Sequence, residues 1–154
     1  MPKKIKISLI LILVCLVCVC VIFGGEAQRH IRSLRSLTSA NITDYDIRVC
    51  QNGPENNELN DWIYVNDDVM KAAIFRSTAT VKYTGKRDYL KSLNPDDDPY
   101  SIQIIKKNHH NDLFHIIVSN NVERNVVRYS NMEIIITGAE DLRQIVETFY
   151  ATMN

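Results

Sequence analysis

The sequence predicts an α+β protein: an N-terminal membrane helix, then a small, mainly antiparallel sheet with a C-terminal amphipathic helix packed on one face. Three observations carry this reading. An apolar segment from Ile7 to Phe23 follows a basic start at Lys3, Lys4 and Lys6. Short β-branched segments then succeed one another through turns rich in Asn and Asp. Near the end, Leu142, Ile145, Val146, Phe149 and Met153 recur at the spacing of one helix face.

Residues 1–27 read as a transmembrane anchor or a signal segment. The seventeen residues from Ile7 to Phe23, apolar except for Ser8, rise about 25 Å as a helix. That is the short limit for a bilayer core of about 30 Å, yet longer than the core of an ordinary signal peptide. The run is too uniformly apolar for a half-buried helix. Gly25 and Ala27 form a small-x-small pattern that leaves cleavage, and hence secretion, as the alternative to a retained single-pass anchor. Cys15, Cys18 and Cys20 lie inside the run, preceded by Val14, Val17 and Val19, so the small residue of a lipoprotein site is missing. They read as small apolar helix residues, with acylation as the alternative. Three lysines on one side nearly balance Arg29, Arg32 and Arg35 on the other, and the short N-terminal tail favours a domain facing outward.

Residues 28–38 read as a basic juxtamembrane stalk. Arg29, Arg32 and Arg35 recur every third residue beside Ile31, Leu34 and Leu37, which suits either the headgroup region or a solvated stalk. Charge follows the same division. Residues 1–37 hold six basic residues against Glu26, a net +5, and the remainder holds twelve basic and seventeen acidic, a net −5. A basic membrane-proximal end and an acidic domain suit a lipid surface and exclude a nucleic-acid binder, which needs its basic patch on the fold. Cys50 is the one cysteine beyond the apolar run, so a disulfide scaffold is excluded.

Residues 39–154 then form a single α+β extracytoplasmic domain. Residues 42–49 alternate, with Tyr45, Ile47 and Val49 inward and Asp44, Asp46 and Arg48 outward, as a half-buried strand does. Residues 51–61, with Gly53-Pro54, form a loop, and residues 62–65 a short strand. Asp67 or Asp68 caps a helix to about Phe75 that buries Val69, Met70, Ala73 and Ile74. Residues 78–83 are strand-like, 86–93 a short helix or linker, and 94–99 a turn. Residues 100–107 and 113–119 form a hairpin, Asn120-Asn121 opens a second turn, and strands follow at 125–129 and 132–137. Thr137 and Glu140 match a capping box at the start of the final helix.

No residue set is assigned as catalytic, cofactor-binding or metal-binding. Cys50 falls on the outward side of its strand with Asp46 and Arg48, as an ordinary thiol or the half of an intermolecular disulfide. His109, His110, Asp112 and His115 are the most metal-like group, yet adjacent imidazoles diverge and no fourth ligand is evident, so a solvated turn is expected. Asp96, Asp97 and Asp98 lack the alternation, the central Gly and the final Glu of a calcium loop. Asn41-Ile-Thr43 is a glycosylation sequon, of consequence only in a eukaryotic or viral secretory setting. The expected function is that of a membrane-anchored, non-enzymatic extracytoplasmic domain binding the bilayer through its first segment and a protein partner at the cell envelope: an accessory, sensor or immunity-type protein. The alternative is a small secreted or anchored enzyme with a dispersed active site. A polar pocket gathering His115 or Cys50 with carboxylates would favour the enzyme, and an exposed apolar or strand-edge surface would favour binding.

Overall fold

A computed structural model describes residues 3–52, 62–89, 96–97, 99–108, 113–121, 124–129 and 132–153; within the first helix it describes the side chains of residues 10–18 and 25–36. The expected α+β class holds: a seven-stranded, wholly antiparallel sheet carries a C-terminal helix on one face. The elements are α1 (Lys3–Ser36), β1 (Tyr45–Gln51), β2 (Ile63–Tyr64), α2 (Asp68–Ser77), β3 (Lys82–Tyr89), β4 (Tyr100–Lys106), β5 (Leu113–Val118), β6 (Val126–Tyr129), β7 (Met132–Thr137) and α3 (Glu140–Met153).

The strand order is β2-β1-β4-β5-β6-β7-β3. β4 to β7 are a meander of hairpins, the arrangement that alternating segments joined by short turns favour. β1 and β3 flank it at opposite ends, so the stretch between them, with α2, must cross the sheet. Side chains at directly paired positions share a face. Ile47, Val49, Ile102, Ile104, Ile116, Val127, Ile134 and Ile136 form the face toward the helices, and all are buried. Phe75 of α2 meets Tyr45 edge to face at 5.3 Å. Leu142 and Val146 of α3 are buried in the same core, and Tyr150 stacks on Tyr100 at 5.9 Å.

α1 is the main departure from expectation. It runs unbroken from the apolar segment into the domain, and Ala27, Ile31, Leu34 and Leu37 are core residues. The three-residue beat thus serves the core on one side and leaves Arg29, Arg32 and Arg35 exposed on the other. Residues 28–38 do not stand off from the domain as a stalk; their apolar stripe faces protein rather than lipid. At the far end of the same helix Ile10, Leu11, Ile12, Leu13, Val14, Leu16 and Val17 are 53–64% exposed. Over the described residues no helix is long and apolar enough to cross a membrane.

Smaller differences have local causes. Residues 42–44 form a 3-10 turn before β1, in which Asn41 Oδ1 accepts the Thr43 N–H at 3.3 Å. Asp67 caps α2 by accepting the Val69 N–H at 2.7 Å, as expected. The helix then buries Ile74, Phe75 and Ser77, while Val69 is 74% exposed, because the capped first turn lies at the rim of the core. Residues 82–89 are a strand to Tyr89, so residues 86–89 are extended, as one of the two expectations had it, and not helical; β7 supplies the partner, from Lys82↔Thr137 to Tyr89↔Met132. A bulge between Tyr83 and Arg87, with Gly85 at φ 84°, interrupts the ladder on this edge strand. Bulges and lysines at an edge oppose pairing with another chain. α3 starts at Glu140, two residues later than a cap at Thr137 requires, since Thr137 still belongs to β7. Met153 is 53% exposed and contributes little to the core.

Candidate functional site

The face of the sheet turned away from the helices carries the polar chemistry. The registers place Tyr64, Arg48, Gln103, His115, Arg128, Glu133 and Asp88 opposite one another in turn, one from each of the seven strands. Directly opposed side chains interact, so these residues form one row across the sheet. Arg48 Nε donates to Gln103 Oε1 at 2.7 Å. Arg128 Nη2 lies 3.1 Å from Glu133 Oε1, and its Nε donates to the same oxygen at 3.2 Å. Trp62, just before β2, lies over Arg48, with its ring 5.2 Å from Cζ, and meets the His115 ring edge-on at 5.8 Å.

The electrostatics of His115 follow from this setting. Burial first, then Arg128 and Arg48 on either side, lower its pKa from 6.5 to about 4, so it is neutral at physiological pH. Its Nε2 is buried with no hydrogen-bond partner among the described residues. Glu133 is engaged by Arg128, and Arg128 stands between it and His115 in the row. The imidazole's neighbours in the row are thus Gln103 and Arg128, and no carboxylate lies directly beside it there.

Cys50 corrects an expectation. It does lie on the Arg48 side of β1, opposite Ser101, but it is only 1% exposed. Ser101, Ile117 and Val126 are buried on the same face, so the outward side of the sheet is not a simple solvent surface. A thiol so enclosed is out of reach of an intermolecular disulfide in the folded protein. Native protein is expected to show no reaction of Cys50 with Ellman's reagent until denaturant is added, with the labelled position read by peptide mapping. Rapid labelling of Cys50 under native conditions would contradict this packing.

The other candidates take structural places. His109, His110, Asp112 and Asp98 lie outside the described residues. Among the described residues no three His, Cys, Asp or Glu side chains come together as a metal site. The Asp97 carbonyl accepts from the Asn120 N–H at 2.6 Å and from Ser119 Oγ at 2.8 Å, and the Asp97 carboxylate lies 3.8 Å from Arg124. The Asp96 carbonyl accepts from Asn120 Nδ2. This stretch thus fastens to the turn after β5. An open groove of about 560 Å³ runs between α2 and α3, with Val69, Met70, Ala73 and Ile145 lining it and Asp67 and Asp141 among its polar residues.

A second buried imidazole sits on the opposite face. His30 of α1 lies between Phe114 at 4.9 Å and Tyr129 at 4.4 Å. Burial lowers its pKa to about 4, and its Nε2 also lacks a partner among the described residues. Both histidines stay neutral in the folded protein while the unfolded chain takes up protons near pH 6.5. Their contribution to stability is therefore whole above about 6.5 and declines as pH falls toward about 4. Thermal melting between pH 7 and 5, above most carboxylate titrations, should show falling stability. His30→Phe should reduce that slope, and an unchanged slope would refute the assignment of this burial to His30.

Comparison with protein-family models, with curated proteins and with solved structures found no match.

Proposed function

We propose that the protein is a membrane-anchored, single-pass extracytoplasmic domain that binds a partner at the cell envelope and does so without catalysis. The observation that carries this is the two-ended character of α1. Ile10 to Leu13 are four successive exposed apolar residues, and at about 100° per residue they cover the circumference of the helix. A helix apolar on every side belongs in a protein interior or in lipid. The opposite end, from Ala27, belongs to the domain core.

The span supports the same reading. Residues 3–26 of α1 precede the first core residue, and as helix they rise about 36 Å, against a bilayer core of about 30 Å. The lysines at 3, 4 and 6 and the exposed Arg29 flank the apolar run at the positions where cations meet headgroups. Retention of the segment, rather than cleavage after Ala27, is supported by Ala27 being a core residue within a continuous helix. Such an anchor has no flexible joint, so the domain is held close to the lipid surface in a defined orientation.

Flotation of the full chain with phosphatidylcholine vesicles tests the anchor. The full chain should float and resist extraction at alkaline pH, and deletion of residues 3–24 should abolish flotation. A full chain that remains in the aqueous fraction would overturn the proposal. Protease added outside intact cells should digest the domain, whereas digestion only after membrane rupture would reverse the orientation.

A further inference from the structure

We propose that Arg48, Gln103 and His115, roofed by Trp62, form a binding site for an oxyanion: the carboxylate or phosphate group of a small ligand. Two arginines in the same row provide the contrast that points to it. Arg128 is supplied with a carboxylate by the fold, at 3.1 Å from Glu133. Arg48 occupies the equivalent face two strands beyond His115 and meets no carboxylate among the described residues. Its contacts are the neutral Gln103 amide through Nε and the face of Trp62.

A half-buried guanidinium without an anion is costly, because desolvation is not repaid by charge pairing. The ring of Trp62 offsets only a part of this. With Nε committed to Gln103, the terminal Nη groups retain the planar fork that binds carboxylate or phosphate with two parallel hydrogen bonds. Beside it, Gln103 uses its carbonyl oxygen toward Arg48, which leaves its amide N–H groups as donors. His115 Nε2, buried and without a partner among the described residues, is a third donor in the tautomer protonated there. Trp62 touches both Arg48 and His115, so it closes over the space between them. Three donors, net positive surroundings and an aromatic roof suit an oxyanion and oppose a cation. The site lies on the sheet face away from the helices and stands or falls independently of the membrane anchor.

Trp62 is the only tryptophan in the chain, so its fluorescence reports on the site directly. The full chain in detergent is titrated with inorganic phosphate and with acetate, against chloride at matched ionic strength. A saturable change with phosphate or acetate and none with chloride is expected. Arg48→Gln should weaken the apparent affinity at least tenfold, with circular dichroism and melting temperature confirming the fold. The second arm uses phosphatidylcholine vesicles with and without phosphatidylglycerol. A response confined to phosphatidylglycerol vesicles assigns the oxyanion to a lipid headgroup, and a response to free anions assigns it to a soluble ligand. Should Arg48→Gln not fold, the His115 ring resonances of the unaltered protein decide: they should move saturably with the active probe. No saturable response in either arm, a response that survives in folded Arg48→Gln, or motionless His115 resonances would overturn the site.

Discussion

Leu34→Ala is expected to destabilise the domain by about 3–5 kcal/mol, the cost of deleting a large buried aliphatic side chain and leaving a cavity. Leu34 is fully buried and belongs to the core that α1 shares with the sheet and with α2 and α3. For a chain of this size the loss corresponds to a melting temperature lower by about 10–20 °C. Arg32, two residues earlier, is exposed, so Arg32→Ala should stay within about 0.5 kcal/mol. The pair of variants separates two pictures of residues 28–38. A stalk or headgroup-facing helix predicts that neither substitution changes domain stability, whereas a core helix predicts a large effect at Leu34 alone. Differential scanning calorimetry of the full chain in detergent reads both, and equal melting temperatures would refute the packing of α1. The same packing makes the apolar N-terminal end of α1 continuous with a helix that is fixed in the domain core.

Why the sequence misassigned this segment is itself physical. Arg29, Ile31, Arg32, Leu34 and Arg35 produce the same amphipathic stripe whether the apolar side meets lipid or protein. Periodicity shows that a face is buried and not against what. The sheet was more legible. The strands at 100–107, 113–119 and 132–137 are rich in Ile and Val and lie between turns rich in Asn and Asp, and they appear within a residue or so of the expected limits. The continuation of the strand-like stretch at 78–83 as far as Tyr89 was missed because Gly85, Lys86, Arg87 and Asp88 have poor strand propensity. Pairing with β7 overrides that preference.

The candidate site was hidden for a different reason. Each member of the row is an outward polar residue on its own strand, the commonest position for Arg, Gln or Glu in a sheet. Gln103 between Ile102 and Ile104, or Arg128 beside Val127, reads as solvent exposure. Only the registers bring Arg48, Gln103, His115, Arg128 and Glu133 into line, and registers between distant strands are not written in local pattern. Cys50 misleads in the same manner: alternation puts it on the outward side correctly, but alternation carries no information about how closely that side is covered.

Gly138→Ala carries the second large expected effect. Gly138 joins β7 to α3 at φ 75°, in the left-handed region that costs a residue with a side chain about 1–2 kcal/mol. Here space adds to conformation. A Cβ at this position would collide with the backbone carbonyl of Thr80, and Thr80 Oγ1 already donates to the Gly138 carbonyl at 2.5 Å. Backbone cannot yield as a flexible side chain does, so α3 or the turn at 78–80 must shift. Ala139, next in the chain, is fully buried, and that shift would disturb the core contacts of Leu142 as well. A loss of about 3 kcal/mol or more is expected, near the upper end for a single substitution. Gly85 supplies the internal control: its φ of 84° is similarly left-handed, but an added Cβ there meets nothing within 4 Å. Gly85→Ala should therefore show the conformational cost alone, about 1–2 kcal/mol. Urea denaturation of the two variants measures the difference. If they prove equally destabilised, the contact between the β7–α3 junction and Thr80 does not constrain the fold, and the helix can dock without it.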